Sequence, residues 1–407
     1  IKMISVAVLG YGTVGSGVVE VFRQNQEKID RCAGDQVRIK YVLDLRDFPE
    51  DPVQELIVHD FEKIVSDESV DIVVEVMGGL EPAYTFVKRS LEAGKNVVTS
   101  NKALVAAHGA ELLKTAKENH VNYLFEASVG GGIPIIRPLV SSLTADEIEE
   151  ITGILNGTTN YMMTKMFYEG ADYDEVLKEA QANGFAERNP EADVEGMDAC
   201  RKIAILSSIV SGKQVDFRDI YTEGITKITV QDMRYAKQMN AVIKLLATMK
   251  RDEEKLEAVV APFILPAEHP LASVNGVFNA IFVHGNALGD AMFYGSGAGK
   301  MPTASAVAAD IVEAAKYRNE TICEYWSGER LELESRLDVK RKFFVRMSGS
   351  RAAYEERIRD TFGKVEFVEA DGCEGEFGFI TDVMKEGEYE DAAARFDNVI
   401  HMIRAAS

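Results

Sequence analysis

Hydrophobic positions in this chain follow two rhythms. Over residues 1–135, short apolar runs alternate with stretches in which apolar residues recur every three or four positions. Short β-branched runs read as buried strands and the longer period as helix. This pattern predicts strands at Ile4–Leu9, Arg38–Leu45, Val70–Val76, Asn96–Thr99 and Tyr123–Ala127. It predicts helices from Val18, over Ala83–Ala93 and over Ala107–Asn119. Strands separated by helices form parallel βαβ units, so the expected fold is α/β with a doubly wound parallel sheet. From 136 to 327 longer helices mix with strand-like runs at Ile148–Leu155 and Leu256–Ile264, as in an α+β domain. The apolar helix Ala304–Ala315 is expected to pack back on the first domain, and the charged stretch Gly328–Lys342 to form a linker. Residues 343–407 then read strand, helix, strand, strand, helix, strand, the βαββαβ order of a ferredoxin-like module.

The break after the first strand carries the first candidate chemistry. Ile4–Leu9 is followed by Gly10-Tyr11-Gly12-Thr13-Val14-Gly15 and then by helix. Strand, glycine turn and helix make the dinucleotide-binding fingerprint. Gly10 permits the tight turn, Gly12 lets the backbone approach a pyrophosphate, and Gly15 lets the helix lie close on the strand. The helix N-terminus, with Thr13 and Val14, then faces the phosphates with its N–H groups. A glycine-rich structural turn is the alternative. The other polar positions gather at the carboxyl ends of the strands, where such sheets bind ligands: Met77-Gly78-Gly79, Thr99-Ser100-Asn101-Lys102 and Glu126 to Gly132.

Composition narrows the partners. A chain of 407 residues with 46% hydrophobic and 27% charged positions is expected to form two or three soluble domains. No apolar stretch nears the roughly 18 residues that span a membrane. The chain opens on the first strand, so no signal peptide is expected. A formal charge of −21 argues against nucleic acid and anionic membranes. The cysteines Cys32, Cys200, Cys323 and Cys373 form no paired motif, which fits a reducing cytoplasm and neither a disulfide framework nor a structural zinc.

A second segment, Ala180 to Lys202, ends one helix at Gly184, turns at Asn189-Pro190 and starts another near Met197. Asp198 and Lys202 are four apart and share a helix face. The helix beyond Lys202 is almost wholly apolar, so a lysine there is costly unless it faces a polar cavity. In such a cavity it can act as a general acid or base, the alternative being a surface ion pair.

Ala180, Gly184, Phe185, Pro190, Asp193, Gly196, Asp198 and Lys202 together resemble the signature of the homoserine dehydrogenases. The resemblance spans nearly all of residues 4–320. It includes Val98–Ala103, Glu126–Pro134, Gly153–Asn160, His269–Leu271, Gly295–Gly299 and Pro302–Ala304. It implies interconversion of L-homoserine and L-aspartate 4-semialdehyde with NAD(P), in threonine and methionine biosynthesis. Lys202 would be the acid/base, and Lys102 would hold substrate and nicotinamide. Glu187, Asp193 and Asp198 would bind the substrate ammonium or orient the lysines, with Gly184 beside them. The Asn156-Gly157-Thr158 loop would take the carboxylate. Gly297, Met77, Gly78, Thr99 and Ser100 would line the cofactor. Glu126 with the carbonyls of Val129, Gly131 and Ile133 resembles the family's site for a monovalent cation, sodium; a glycine loop without metal stays open beside it. Arg46, close after Asp44 on the second strand, favours NADP with NAD tolerated.

The resemblance further implies a monofunctional member with an ACT-like module at 343–407 that senses an amino acid, threonine first, and a homodimer or homotetramer. The expected domains are 1–135 for dinucleotide, 136–327 for substrate and dimerisation, and 343–407 for regulation. Two rivals remain. A phosphorylating semialdehyde dehydrogenase needs a thiolate nucleophile, and no cysteine sits in a fitting loop. A non-enzymatic sensor of dinucleotide and amino acid leaves Lys102 and Lys202 without a purpose.

Overall fold

The structure is a computed structural model and describes residues 3–253 and 255–406. The chain divides into two compact units, one of residues 1–146, 204–217 and 295–331, the other of residues 147–203, 218–294 and 332–407.

The first unit is built on a six-stranded sheet in the order Ile57–Val58, Gln36–Leu43, Met3–Leu9, Val70–Glu75, Asn96–Thr99, Tyr123–Leu124. Every neighbouring pair is parallel. The order reverses between the first and fourth strands in sequence, where doubly wound sheets open their ligand crevice. The interior of Met3–Leu9 is buried on both faces, which is why it carries the continuous apolar run of a parallel strand. The helices Thr13–Ala33 and Lys300–Lys316 pack tightly: a Cβ on Gly17 would come within 2.8 Å of the Lys300 carbonyl oxygen. Their small facing residues allow that approach.

Several elements differ from the sequence-based expectation. The strand expected over Tyr123–Ala127 stops at Leu124, and Ala127–Gly130 is a turn of helix. The helix expected from Ala107 begins five positions earlier, at Lys102, because Asn101 caps it: its side-chain oxygen accepts the Leu104 N–H at 3.1 Å. Gly328–Lys342 is ordered. Ser327–Arg330 pairs with Lys213–Gln214, and a 3-10 turn at Arg336–Asp338 follows.

The second unit holds a mixed sheet of eleven strands among the described residues. Its spine is the antiparallel hairpin Ala241–Asp252 and Lys255–Pro266. On one side of the hairpin lie Ile148–Ile154, Phe278–Gly285 and Gly289–Ser296. On the other side the last strand, Val399–Ala405, pairs in parallel with Lys255–Pro266 through Phe263 and Ile264. Beyond it come Lys340–Ser348, Glu376–Thr381 and Val365–Val368, each antiparallel to its neighbour. One sheet therefore runs from the Phe278–Gly285 and Ile148–Ile154 strands into the C-terminal strands. Those strands keep a core of their own, built on Phe343, Phe362, Phe377, Phe379 and Phe396.

Candidate active site

In the first unit the glycine turn after the first strand offers mainly main chain. Gly10 has φ +101, a conformation open to glycine. A Cβ on Gly15 would lie 1.9 Å from the Gly10 carbonyl oxygen, so the helix touches the turn there. A Cβ on Gly12 would meet no protein atom within 4 Å. The acid at the end of the second strand, Asp44, is held on all sides: it accepts the Tyr11 N–H at 2.9 Å, the Arg46 N–H at 3.0 Å and two further bonds from the Arg46 guanidinium. Those bonds, the guanidinium's first among them, keep the Asp44 carboxyl well below the usual range. Arg46 lies mostly exposed above it. Tyr11 donates to Asp51 at 2.8 Å, and burial with that carboxylate pushes its pKa up to about 12.

The loops at the other strand ends are tied by Glu75, which the sequence pattern did not single out, and by Asn101, which it placed in the polar run 99–102. Glu75 is fully buried, and its carboxylate accepts the N–H of Met77 at 2.8 Å, the N–H of Gly78 at 3.2 Å and the Thr99 hydroxyl at 2.7 Å. Asn101 donates to the Gly79 carbonyl at 2.6 Å. Met77, Gly78, Thr99 and Ser100 are thus fixed as one rim, with Lys102 as the first residue of its helix.

The glycine loop Gly130–Gly132 meets the Gly295–Gly299 loop, both in this unit. A Cβ on Gly131 would lie 2.2 Å from the Gly297 carbonyl oxygen, and the Gly132 N–H bonds to Ser296 O at 3.1 Å. The Glu126 carboxylate accepts the backbone N–H groups of Ile135 at 2.7 Å, Ile136 at 2.8 Å and Arg137 at 2.7 Å. Three of its roughly four lone-pair positions are used within its own loop. Beside it, burial pushes Asp310 up to about 7 against the pull of its ion pair with Arg137. Among the described residues no group of three or more His, Cys, Asp and Glu is placed to hold a metal ion.

The second unit builds its site from side chains. Lys202 is 7% exposed on the helix Met197–Ser211. Its ammonium donates to the Leu155 carbonyl at 2.7 Å and to Asp198 at 2.8 Å. The Asn156 amide bridges two acids, donating to Asp193 at 2.8 Å and to Asp198 at 2.9 Å. The same Asn156 caps the helix Gly157–Glu169 through the Thr159 N–H. Thr158 donates to the Phe185 carbonyl at 2.5 Å, which ties the helix start to the 184–187 turn. Gly184 and Glu187 lie exposed on that turn. Asn156, Thr158, Asp193, Asp198 and Lys202 therefore come together, and Lys102 belongs to the other unit.

One element behind this cluster went unread. Lys244 is 3% exposed and donates to Val274 O at 2.6 Å, Asn275 Oδ1 at 3.0 Å and Asn160 Oδ1 at 3.1 Å, all neutral acceptors. Burial lowers its pKa to about 8. It locks the Gly157–Glu169 helix to the 274–278 loop.

Two family models match in register with this geometry: the homoserine dehydrogenase NAD binding domain over residues 10–126 and homoserine dehydrogenase over 134–312. The homoserine dehydrogenase of Bacillus subtilis (strain 168) is 46% identical over 318 residues, covering 77% of this chain and 73% of that protein. The chain belongs to the homoserine dehydrogenase family. The Helicobacter pylori homoserine dehydrogenase is 40% identical over 348 residues, 85% of this chain and 82% of its own. The solved Thiobacillus denitrificans homoserine dehydrogenase superposes with a TM-score of 0.93 at 36% identity over 100% of this chain and 99% of that one. A hyperthermophilic archaeal homoserine dehydrogenase solved in complex with NADPH gives 0.65 at 28% identity over 77% of this chain and 98% of that one. The chain is a homoserine dehydrogenase, an NAD(P)-binding oxidoreductase of amino-acid biosynthesis. The family membership disfavours the thioester rival, and Cys200, on the Lys202 helix, is fully buried. Among the described residues no helix is long and apolar enough to cross a membrane.

Proposed function

We propose that this homoserine dehydrogenase interconverts L-homoserine and L-aspartate 4-semialdehyde with Lys202 as the acid and base at the substrate oxygen. The setting of Lys202 carries the reading: a buried ammonium that donates to a carboxylate and to a main-chain carbonyl. In reduction Lys202 Nζ gives a proton to the aldehyde oxygen, and in oxidation the neutral amine takes the hydroxyl proton. Asp198 holds the ammonium, while Asp193 and Glu187 receive the substrate's own ammonium. The Asn156-Gly157-Thr158 helix start, with Gly184 opposite, receives the carboxylate through main-chain N–H groups. Lys102 steadies the substrate beside the cofactor.

A nicotinamide cofactor, NADP ahead of NAD, supplies or accepts the hydride when bound. Gly10, Gly12, Thr13, Val14 and Gly15 would hold its phosphates, Arg46 its 2′-phosphate, and Met77, Gly78, Thr99, Ser100, Lys102 and Gly297 the nicotinamide half. The open side of Gly12 is the supporting observation, because nothing in the protein requires glycine there. Arg46→Ala is expected to weaken NADPH binding about tenfold or more, as for a lost charge-assisted bond, and to leave NADH nearly unchanged. Equal losses would make Arg46 structural. A sodium ion would rest on the carbonyls of Val129, Gly131 and Ile133, with one remaining lone pair of Glu126.

The domain reading extends this: 1–135 binds dinucleotide, 136–327 binds substrate and pairs subunits, and 343–407 is an ACT-type module sensing threonine, in a cytoplasmic homodimer or homotetramer. Cutting near Ser327 would strip Lys255–Pro266 of its pairing with Val399–Ala405, so threonine inhibition is best measured on the full chain. The decisive assay mixes aspartate 4-semialdehyde with NADPH: consumption of NADPH is expected, and none would overturn the activity.

A further inference from the structure

The loop 274–278 is tied to the start of the Gly157–Glu169 helix by two buried side chains. Asn160, in the first turn of that helix, donates its amide to the carbonyls of Val274 at 3.1 Å, Gly276 at 3.1 Å and Phe278 at 3.0 Å. Lys244 reaches the same loop from the Ala241–Asp252 strand, donating to Val274 O, to the Asn275 side chain and to Asn160 Oδ1. One turn further along the helix, the Thr164 hydroxyl accepts the Gly276 N–H at 3.0 Å. Held in this way, the loop touches the helix start itself. A Cβ on Gly157 would come within 2.7 Å of the Val277 carbonyl oxygen.

Packing alone does not account for a lysine at position 244. An ammonium shut away from water is destabilising, and a methionine of similar volume would fill the same space without that penalty. What the cation adds is direction. An ammonium has three donors and no acceptor, so it turns the Asn160 oxygen toward itself and leaves the Asn160 amide hydrogens to the loop carbonyls. A neutral, apolar neighbour would let the amide turn over and set its oxygen against those carbonyls. The Lys244 charge therefore fixes the one side chain that fastens the loop to the helix start.

We propose that Lys244 is a positioning residue for the substrate's carboxylate, acting through Asn160 and the 274–278 loop on the N–H groups of Gly157 and Thr158. The assignment rests on the reading of that helix start as the carboxylate site. Lys244 itself touches no substrate atom. The acid/base Lys202 hangs instead from Leu155 and Asp198, so loss of Lys244 spares the proton transfer and falls on substrate binding. The part of the substrate affected is the carboxylate alone.

The test compares L-homoserine with 3-aminopropan-1-ol, which is homoserine with hydrogen in place of the carboxylate. The KM for homoserine and the Ki of 3-aminopropan-1-ol against it are measured at pH 7 and saturating cofactor. The proteins are the full-length wild type, Lys244→Met and Asn160→Asp, the last keeping an acceptor for the ammonium while removing the donor to the loop. The wild type is expected to prefer homoserine. Each variant is expected to raise the KM for homoserine about tenfold, as for one lost charge-assisted bond. The kcat stays within about threefold and the Ki of 3-aminopropan-1-ol is unchanged, the signature of lost ground-state binding at one group. If both ligands weaken in proportion, Lys244 merely supports the fold and the proposal is overturned. An unmoved KM for homoserine overturns it as well. A wild type with no preference for homoserine sinks the carboxylate reading and the proposal together, a failure visible without either variant. Should Lys244→Met not fold, Asn160→Asp reads the same ratio.

Discussion

The glycine turn proposed to hold phosphates and the Lys202 cluster proposed to hold the substrate are built of opposite materials. At Gly10–Gly15 the contact surface is main chain, and what side chains do is stay away: a Cβ on Gly15 would strike the Gly10 carbonyl at 1.9 Å. Around Lys202 the contact surface is side chain, with two acids, an amide and a lysine bonded to one another. The first arrangement has almost no electrostatic cost in the free protein, because N–H groups at a helix start are already solvated. The second buries charge, and a buried ion is tolerated when it is paired and hydrogen-bonded. Main chain recognises a class of ligand, the phosphates. Buried side chains can place one proton at one atom.

The sharpest way to break this contrast is Lys202→Ala. If the second region is a proton-transfer device, turnover falls by about 10²–10⁴-fold while dinucleotide binding persists. Steady-state kinetics together with cofactor titration decides it. A kcat near wild type would reduce the cluster to a structural ion pair.

The same contrast explains how much was legible in the sequence. The parallel sheet was readable because two-faced burial forces continuous apolar strands such as Ile4–Leu9, and Gly10, Gly12 and Gly15 announce a backbone that a side chain would spoil. Asp198 and Lys202 were readable because charge four residues apart in an apolar helix is costly without a purpose. Glu75 and Lys244 were not, since each bonds to partners distant in sequence or to main chain, and no local pattern marks them. The short strand Ile57–Val58 was missed for want of length. The joining of the C-terminal strands to the central sheet depends on pairing between Phe263–Ile264 and Arg404–Ala405, a contact between distant stretches of the chain that no periodicity encodes.

Lys244 sharpens the comparison inside the side-chain region, because it is a buried lysine that donates to neutral acceptors. Its pKa, about 8, lies below the usual 10.5, so between those values the unfolded chain binds the extra proton and the folded one does not. Stability then rises with pH across that window and is flat with respect to this group below it. The gap corresponds to up to about 3 kcal/mol at 1.36 kcal/mol per pH unit. Urea unfolding of the wild type and Lys244→Met at pH 8 and pH 10 isolates the contribution. The wild type should gain on the variant as pH rises, and parallel behaviour would show that the ammonium stays charged.

The smallest expected effect separates two glycines of one turn. Gly15→Ala places a methyl against fixed backbone in the folded protein itself, so the helix must shift, and overpacking of that kind costs about 1–3 kcal/mol. Gly12→Ala meets no protein atom, and at φ −84 an alanine is unstrained there, so folding stability should match the wild type. Its cost should appear only when a pyrophosphate is present to be touched. Thermal midpoints of both variants, measured with and without NADPH, therefore give a crossed pattern. Gly15→Ala should lower the midpoint in both conditions. Gly12→Ala should leave the bare midpoint alone and lose the increment that NADPH confers through linkage. If Gly12→Ala keeps that increment, the pyrophosphate does not lie against this turn, and the main-chain half of the comparison fails.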